Sequence, residues 1–434
     1  MMRGVAVGRR SGMRLWPGAL GIALLIAVVV SLGEPRAAER DRTAAAAADE
    51  LTIGALLDLR SGWTSLGRAS RVTLKLAVAD ANARLAESGS TMRVRLKIVD
   101  VHGSPRASVR ALRRLAAEGV QLVIGPQASS EVGAVRRAAN ALGVVVISQG
   151  STAHSLAFRG DNVLRFVPDD VREGEALVAL LEQDGIDGIV PVWRNDTGNA
   201  GLVISVRRQF RRVGGSVANG VRYGTSVSDF GPTLDRVRTQ VASLQSSGHS
   251  RVAVYLAAFG EVVRLFRGAS GDQPLGSLPW YGSDGVALLP GLVAAPKAAA
   301  FAAGVGYPNP ILGLDGAAAR RSRDLVRRIR ARLGSRPDAF ALTAYDALQV
   351  GVDASARTGG VDDAARLRRA LVRVASGYVG MTGKLVLNAA GDRAFGSYDF
   401  WSVCTSGASA RWKRTWSYLA TRPGSGRIVA RGHC

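Results

Sequence analysis

The sequence predicts an α/β protein built on parallel β-sheet, and two observations carry this prediction. Strand-like and helix-like segments alternate from residue 51 onward, and two apolar runs, at residues 120–124 and 144–147, flank one helical segment. Continuous runs of branched apolar residues suit strands that are buried on both faces, as in parallel sheets. The segment between them opens at Ser129 and breaks at Gly143, which is typical of a helix.

Small and hydroxyl-bearing residues follow both of these strands. Gln127 and Ser129 come after the first strand, and Gly150 and Thr152 after the second. In an open α/β sheet, ligands bind at the carboxyl ends of the strands, and a helix N-terminus there offers unpaired N–H groups to an anion. The stretch therefore predicts a site for a small polar or anionic molecule. Ordinary strand-end loops are the alternative.

The segments on either side continue the alternation. A strand at residues 51–57 leads into a turn that contains Trp63, and a helix follows with Val72, Leu76, Ala79 and Ala83 spaced along one face. In the strand predicted at residues 93–100, residues 93–98 alternate strictly between basic and apolar side chains, which indicates one wet face near a sheet edge.

A second series begins after an extended stretch at residues 163–168. The predicted helices cover residues 171–184, 229–245, 317–333 and 340–358, with another helix that ends at Gly214. The predicted strands cover residues 186–193, 216–223, 251–256, 280–281, 384–387, 395–403 and 411–419.

Length and charge limit the classes of function. A chain of 434 residues suggests two domains, and its formal net charge of +23 raises the question of a nucleic-acid partner. The basic residues are mostly arginines scattered along helices, without a basic tail, zinc-finger spacing or an aromatic-rich RNA motif. An arginine-rich solvated surface is therefore expected, and no nucleic acid.

Residues 1–50 are predicted to be a signal or targeting segment with an alanine-rich linker. Four arginines precede a short apolar run at residues 19–32, which is the pattern of an export signal. The chain is therefore expected in the periplasm or at the outer face of the cytoplasmic membrane. Cleavage of the signal and retention as a membrane anchor both remain open.

Cys404 and Cys434 are the two cysteines of the chain. In an exported protein such a pair is most simply a disulfide that ties down the tail, and two free thiols are the alternative. The four histidines show no metal-ligand spacing, so neither a metal nor a cofactor is expected.

Several short motifs stand in a characteristic order. They are Ile53-Gly54-Ala55-Leu56, Val123-Ile124-Gly125-Pro126, Ser283-Asp284-Gly285, Ala344-Tyr345-Asp346-Ala347 and Gly380-Met381-Thr382-Gly383. With this order and spacing, the chain resembles the leucine/isoleucine/valine-binding family of extracellular solute-binding proteins, over about residues 51–400. The resemblance implies the type 1 periplasmic binding protein fold, with two Rossmann-like lobes, parallel sheets and three crossings. Lobe one would comprise residues 51–166 and 306–384, and lobe two residues 167–305 and 385–434.

The resemblance also implies a ligand site between the lobes. Ser129, with Gly150 and Thr152, would hold the carboxylate of an amino acid, and Asp284 would hold its amine. The family's aromatic contacts are altered here: Leu66 replaces the first, with Trp63 nearby, Thr197 replaces the second, and Ala258 or Phe259 the third. The alternatives are a helix cap for Ser129, a turn-forming role for Asp284 and core packing for Trp63. Tyr345 and Asp346 are expected to serve packing and hinge support.

Three functions compete. The leading hypothesis is a solute-binding protein that delivers a small amino-acid-like ligand to the membrane permease of an ABC importer. A sensing module anchored by an uncleaved N-terminal helix is the second. An enzyme is the third and the least supported, because Ser61, Ser129 and Asp284 lack a Gly-x-Ser-x-Gly motif and an accompanying histidine.

Overall fold

The computed structural model describes residues 50–359, 363–407 and 409–434. The predicted signal segment and linker therefore lie outside the described residues, apart from Glu50. Of the helices within the described ranges, none is long and apolar enough to cross a membrane.

The first part of the chain alternates strand and helix, as predicted. Its elements are β1 (Glu50–Leu57), α1 (Thr64–Glu87), β2 (Arg93–Asp100), α2 (Pro105–Ala117), β3 (Leu122–Ile124), α3 (Ser129–Leu142), β4 (Val145–Ser148) and β5 (Val163–Pro168). The five strands are parallel, in the neighbour order β5-β4-β3-β1-β2, and we call this the first sheet. Strands β3 and β4 are fully buried, whereas β2 lies at the edge and begins with alternating exposure. The parallel α/β class and the edge position of β2 are confirmed.

Helix α1 buries a different face from the predicted one. Leu76 is buried as expected, but Ala79 and Ala83 are exposed. The buried side of the helix is formed largely by Ser70, Thr73, Leu74, Ala77, Ala81 and Leu85. The reason is a later helix, Ala339–Thr358, from which the Gln349 amide donates to the Ala77 carbonyl at 2.9 Å. A partner 272 positions away leaves no trace in the local pattern.

The elements after residue 168 build a second parallel sheet. They are α4 (Asp170–Gln183), β6 (Gly188–Arg194), α5 (Thr197–Arg212), β7 (Ser216–Val217), β8 (Val221–Tyr223), α6 (Gly231–Ser246), β9 (Val252–Ala257), α7 (Val262–Ala269), α8 (Gln273–Gly276), β10 (Trp280–Tyr281), α9 (Pro290–Val293) and α10 (Pro296–Gly304). The order is β10-β9-β6-β7, and β8 also pairs with β6. The single strand predicted over residues 216–223 is two strands, because pairing is interrupted before Gly220, whose φ is +79°.

The last part of the chain returns to the first sheet and then builds a third one. Its elements are β11 (Asn309–Leu312), α11 (Gly316–Arg321), α12 (Arg323–Leu333), α13 (Ala339–Thr358), α14 (Ala364–Gly377), β12 (Val379–Gly380), β13 (Gly383–Lys384), β14 (Asp392–Arg393), β15 (Tyr398–Ser406), β16 (Ser409–Leu419) and β17 (Arg427–Ala430). Strands β11-β15-β16-β17 form the antiparallel third sheet. A disulfide joins Cys404 to Cys434, so this pairing is confirmed.

Three predictions in this part need correction. Helix α14 was not predicted, and the helix predicted over residues 317–333 is two helices that meet at Ser322. The strand predicted over residues 384–387 is Gly383–Lys384, and Leu387 forms an isolated bridge with Arg393. The Leu385 N–H donates to the Tyr378 carbonyl, whereas the Val386 carbonyl accepts from the Ala394 N–H, so the segment changes its pairing partner there.

Separate apolar cores pack against the first and the second sheet. Ile53 of β1 shares a core with Leu348 of α13 and Leu371 of α14, so these late helices pack on the first sheet. Phe400 and Tyr398 of β15 share a core with strands of the second sheet. Because β14 pairs with β5, the chain leaves the first sheet after residue 393 rather than at 384. With that shift, we retain the two-lobe division as a proposal.

Candidate functional site

A cavity of about 170 Å³ lies where the carboxyl ends of the two parallel sheets face each other. Loops after β1, β3 and β4 contribute one side, which we call the first-sheet wall: Ser61, Trp63, Gln127, Ser129, Gly150 and Thr152. Loops after β6, β9 and β10 contribute the second-sheet wall: Arg194, Asp196, Asn199, Phe259 and Asp284. Such a crevice is where open α/β sheets bind ligands.

Ser129 joins the helix start of the first-sheet wall to the neighbouring loop. Its hydroxyl accepts a hydrogen bond from the Ala153 N–H at 3.3 Å and another from the Ser151 hydroxyl at 3.1 Å. The helix cap is Ala128, and Ser129 is the first residue of α3, so the capping alternative is wrong. The cavity is also lined by Ser130, and a helix start of this kind presents N–H groups and a positive dipole end to an anion.

Close packing shapes the rest of this wall. A Cβ atom at Gly150 would lie 2.5 Å from Cγ of Gln127, so only glycine fits beside the glutamine. The Gln127 amide nitrogen is buried without a partner among the described residues. The Thr152 carbonyl accepts from the Asp170 N–H at 2.8 Å and so connects the loop to α4.

The second-sheet wall is backed by three buried carboxyl groups. Asp284 is 7% exposed, and its N–H donates to the Glu173 carboxylate at 3.2 Å. Asp170 and Glu173 lie in the first turn of α4 and are almost fully buried. One oxygen of each of these two groups has no hydrogen-bond partner in the described part of the chain.

Burial sets the protonation of these carboxyl groups. It raises the pKa of Asp284 to about 7 and that of Asp170 to about 8, and the charge of Asp284 adds to the rise at Asp170. The pKa of Glu173 is raised well above its usual range by burial, and then by the charges of Asp284 and Asp170. A cationic group placed beside Asp284 would favour its charged form. The second-sheet wall is therefore suited to a ligand ammonium.

An arginine and two acidic residues complete the second-sheet wall. The Arg194 guanidinium lies 3.3 Å from the Asp196 carboxylate and 3.5 Å from that of Glu261. Asp196 caps α5 by accepting from the Asn199 N–H at 3.0 Å. Thr197, which sequence reasoning selected, is exposed and does not line the cavity, because the helix start turns it outward while Asp196 and Asn199 face inward.

Two aromatic rings close one end of the cavity. The ring centroids of Trp63 and Phe259 are 4.0 Å apart, with an interplanar angle of 49°. Trp63 belongs to the first-sheet wall and Phe259 to the second, so the pair bridges the cleft. Of the two residues left open for the third aromatic position, Phe259 lines the cavity, whereas Ala258 is fully buried.

The structure brings together seven of the eight predicted site residues, namely Trp63, Gln127, Ser129, Gly150, Thr152, Phe259 and Asp284. Other lining residues were not predicted as contacts: Ser61, His102, Gly103, Ser130, Arg194, Asp196, Asn199, Leu202 and Phe340. Asp196 had a usable signal, because an aspartate two residues before Gly198 in a post-strand loop is a common helix cap. Tyr345 and Asp346 pack away from the cavity, where Tyr345 donates to Asp80 and Asp346 accepts from Thr382.

Within the described residues, no group of three or more His, Cys, Asp or Glu side chains is arranged to hold a metal ion.

A cavity at the carboxyl ends of two parallel α/β sheets is the usual place for a small-molecule site in this class of fold. Residues 50–408 match the sequence model of the periplasmic binding protein family. The chain belongs to this family, and the resemblance found in the sequence is confirmed.

Three similar proteins illustrate the family. An uncharacterized protein of Methanocaldococcus jannaschii is 26% identical over 378 residues, which cover 82% of this chain and 88% of that protein. The branched-chain amino acid binding protein LivJ of Streptococcus pneumoniae, in complex with isoleucine, is 16% identical with a TM-score of 0.69, covering 88% of this chain and all of the other. A solute-binding protein of R. palustris in complex with benzoate is 18% identical with a TM-score of 0.68, covering 88% of this chain and 98% of the other. At these identities the two solved structures support the fold alone.

Proposed function

We propose that this protein is an extracytoplasmic solute-binding protein that captures a small amino-acid-like ligand and delivers it to the permease of an ABC importer. One observation carries the proposal. The cavity sets a helix N-terminus and hydroxyl groups on one side against a buried carboxyl group, Asp284, on the other. A molecule with an anionic and a cationic group satisfies both walls at once.

The anionic end of the ligand belongs at the first-sheet wall. Ser129 and Ser130 open helix α3, and Thr152 and Gln127 line the same cavity. Hydrogen bonds from such donors to a carboxylate are charge-assisted and therefore stronger than bonds between neutral groups.

The cationic end belongs at Asp284. The neighbouring Asp170 and Glu173 carboxyl groups are also buried, so the wall holds more acidic groups than its own structure neutralises. This argument favours an amino acid over an aromatic acid, although relatives of similar fold bind either isoleucine or benzoate.

A ligand screen with matched analogues tests the proposal. A thermal-shift screen of amino acids, short amides and aromatic acids identifies the ligand, because binding to the native state raises stability by about 2.7 kcal/mol at a hundredfold excess over Kd. The best amino acid is then compared by calorimetry with its amide and with its deaminated acid. We expect both analogues to bind at least about tenfold more weakly. An aromatic acid that binds as tightly as the best amino acid would contradict the proposal.

Export of the chain is part of the same proposal. The apolar run at residues 19–32 has the length of a signal, and small residues follow it, so the mature protein should begin between about Ala38 and Asp49. Mass spectrometry of the exported protein measures this directly. An intact N-terminus recovered from the membrane fraction would favour the anchored sensor instead.

A further inference from the structure

A second cavity, of about 460 Å³, adjoins the first. Its walls come from α1, from the segment around α9 and from the end of α12, and they are mainly apolar: Leu66, Ala69, Ala287, Leu288, Leu289 and Leu333. Leu288 has a left-handed backbone conformation, with φ of +64°. For a residue other than glycine this is a strained conformation, and strain of this kind is concentrated at ligand sites.

The two cavities share four lining residues, two of which are aromatic. Gly62, Trp63, Phe259 and Gly285 line both of them, and the Trp63–Phe259 ring contact lies between. A Cβ atom at Gly285 would lie 2.4 Å from the Phe259 ring, so glycine is what allows the ring to lie there. Because the two rings come from loops of different sheets, rotation of either ring or a small opening of the cleft would widen the passage between the cavities.

The inner cavity is small for a complete ligand. Its 170 Å³ is close to the volume of about 150 Å³ known to hold benzene. The charged head of an amino acid and a short side chain fill this space. A longer side chain has to pass the aromatic pair, and the apolar second cavity lies directly behind it.

The lining of the second cavity also restricts which kind of ligand side chain could bind there. Arg68 and Arg336 stand among its lining residues, and the Asp338 carboxylate is occupied in capping α13, where it accepts from the Ala341 N–H at 2.9 Å. A cationic tail would meet two guanidinium groups, whereas a neutral apolar tail would bury its surface against leucine and alanine.

We propose that the second cavity binds the apolar tail of the ligand whose charged head occupies the inner cavity, with Trp63 and Phe259 as a movable divider. The substrate class is then an α-amino acid, or a related compound, with a long neutral side chain. This inference rests on the proposed function and specifies its ligand.

The test is a chain-length series measured by calorimetry. The probes are straight-chain 2-amino acids from 2-aminobutanoic to 2-aminodecanoic acid, applied to the full mature protein. We expect affinity to rise about threefold to fourfold for each methylene group added beyond the length that fills the inner cavity. Affinity that levels off or falls beyond 2-aminohexanoic acid would overturn the inference.

Two variants fill the second cavity from opposite walls, Leu66→Trp and Leu289→Trp. Each should abolish the rise with chain length while 2-aminobutanoic acid binds as in the wild type, and its binding also shows that the variant is folded. Leu142→Trp, at an exposed position on α3, is the matched control and should retain the rise. If the filled variants keep the wild-type rise, the tail binds elsewhere and the inference is wrong. If both variants misfold, the wild-type series decides by itself.

Failure of the inference differs from failure of the proposed function. A wild-type protein that binds the short acids but shows no gain with length contradicts the inference alone. A protein that binds none of the acids contradicts the proposed function, and the inference with it.

Discussion

The two walls of the inner cavity satisfy their polar groups in different ways. On the first-sheet wall, the Ser129 hydroxyl bonds to Ser151 and Ala153, and the Arg165 guanidinium donates to the Ala153 carbonyl at 2.6 Å. On the second-sheet wall, the buried Asp170 and Glu173 each keep one carboxyl oxygen without a partner among the described residues. Folding leaves the Gln127 amide nitrogen unpaired in the first wall, whereas behind the second wall it buries three carboxyl groups, at an electrostatic cost that a bound cation would offset.

Breaking the internal support of the first-sheet wall should have the largest effect. Arg165 and Asp392 form a buried ion pair, with side chains 1% and 3% exposed and an N···O distance of 2.6 Å. In Arg165→Met, the Asp392 charge loses its partner, and we expect the free energy of unfolding to fall by about 3–5 kcal/mol. Urea unfolding measures this loss.

Arg60→Met is the control for that change, because Arg60 pairs with Asp100 at the surface with its side chain 70% exposed. The control should cost less than about 1 kcal/mol. Equal losses for the two variants would show that the buried pair does not support the first-sheet wall.

Removing the charge of Asp284 tests the second-sheet wall. Asp284→Asn keeps the shape of the side chain, so we expect the best amino acid to bind about 1.5–3 kcal/mol more weakly, the range for a hydrogen bond to a charged group. Calorimetry measures the change. Glu87→Gln, an exposed change of the same charge at the end of α1, is the control and should leave affinity unaltered. Equal affinities in Asp284→Asn and the wild type would place the ligand cation elsewhere.

The two walls also differ in how far the sequence predicted them. Ser129, Gly150 and Thr152 follow strands with a clear local pattern, so position after the strand was enough to find them. Asp170 and Glu173 occupy the first turn of α4, where acidic residues are ordinary. Contacts with other loops bury them: Glu173 accepts from the Asp284 N–H, and Asp170 from the His154 N–H. The prediction that Thr197 contacts the ligand was wrong, because the start of α5 turns its side chain away from the cavity.

The elements of the fold also differ in how well the sequence predicted them. Strands β3 and β4 were predicted correctly, because a continuous apolar run is sufficient to identify each of these buried strands. The buried face of α1 depends on the distant helix α13, and the segment after β13 changes its pairing partner from Tyr378 to Ala394, so neither is visible in the residues concerned. Local pattern predicts elements, whereas contacts between distant segments decide their faces and ends.

The buried carboxyl groups should make the ligand-free protein less stable as pH rises. The pKa values of Asp284 and Asp170 are raised to about 7 and about 8, so the folded state holds protons that the unfolded state releases near pH 4. Their contribution to stability is fully present below about pH 4 and is lost as pH rises through 7 and 8.

Thermal unfolding between about pH 5 and pH 9 measures this loss. We expect Asp284→Asn to lose about 1–2 kcal/mol less than the wild type over that range, because the amide does not titrate and no longer raises the pKa of Glu173. Parallel stability curves for the two proteins would be inconsistent with three coupled buried carboxyl groups.

The smallest effect is expected at Ser129. Ser129→Ala removes a hydroxyl that positions the loop at Ala153, but the backbone N–H groups at the start of α3 remain, so we expect a loss of about 1 kcal/mol in binding. Thr197→Ala is the matched control, because Thr197 also begins a helix but does not line the cavity. A larger effect at Thr197 than at Ser129 would reverse the assignment of the first-sheet wall.

The pH dependence of affinity tests the difference between the walls most directly. In the proposed function the charged form of Asp284 binds the ligand ammonium. Burial raises the pKa of Asp284 to about 7, so the amino acid should bind more tightly as pH rises. Calorimetry from about pH 5.5 to pH 8 should show affinity increasing at least about tenfold in the wild type and staying nearly constant in Asp284→Asn. Affinity that is constant or falls with rising pH in the wild type would contradict an acidic wall that binds a cation.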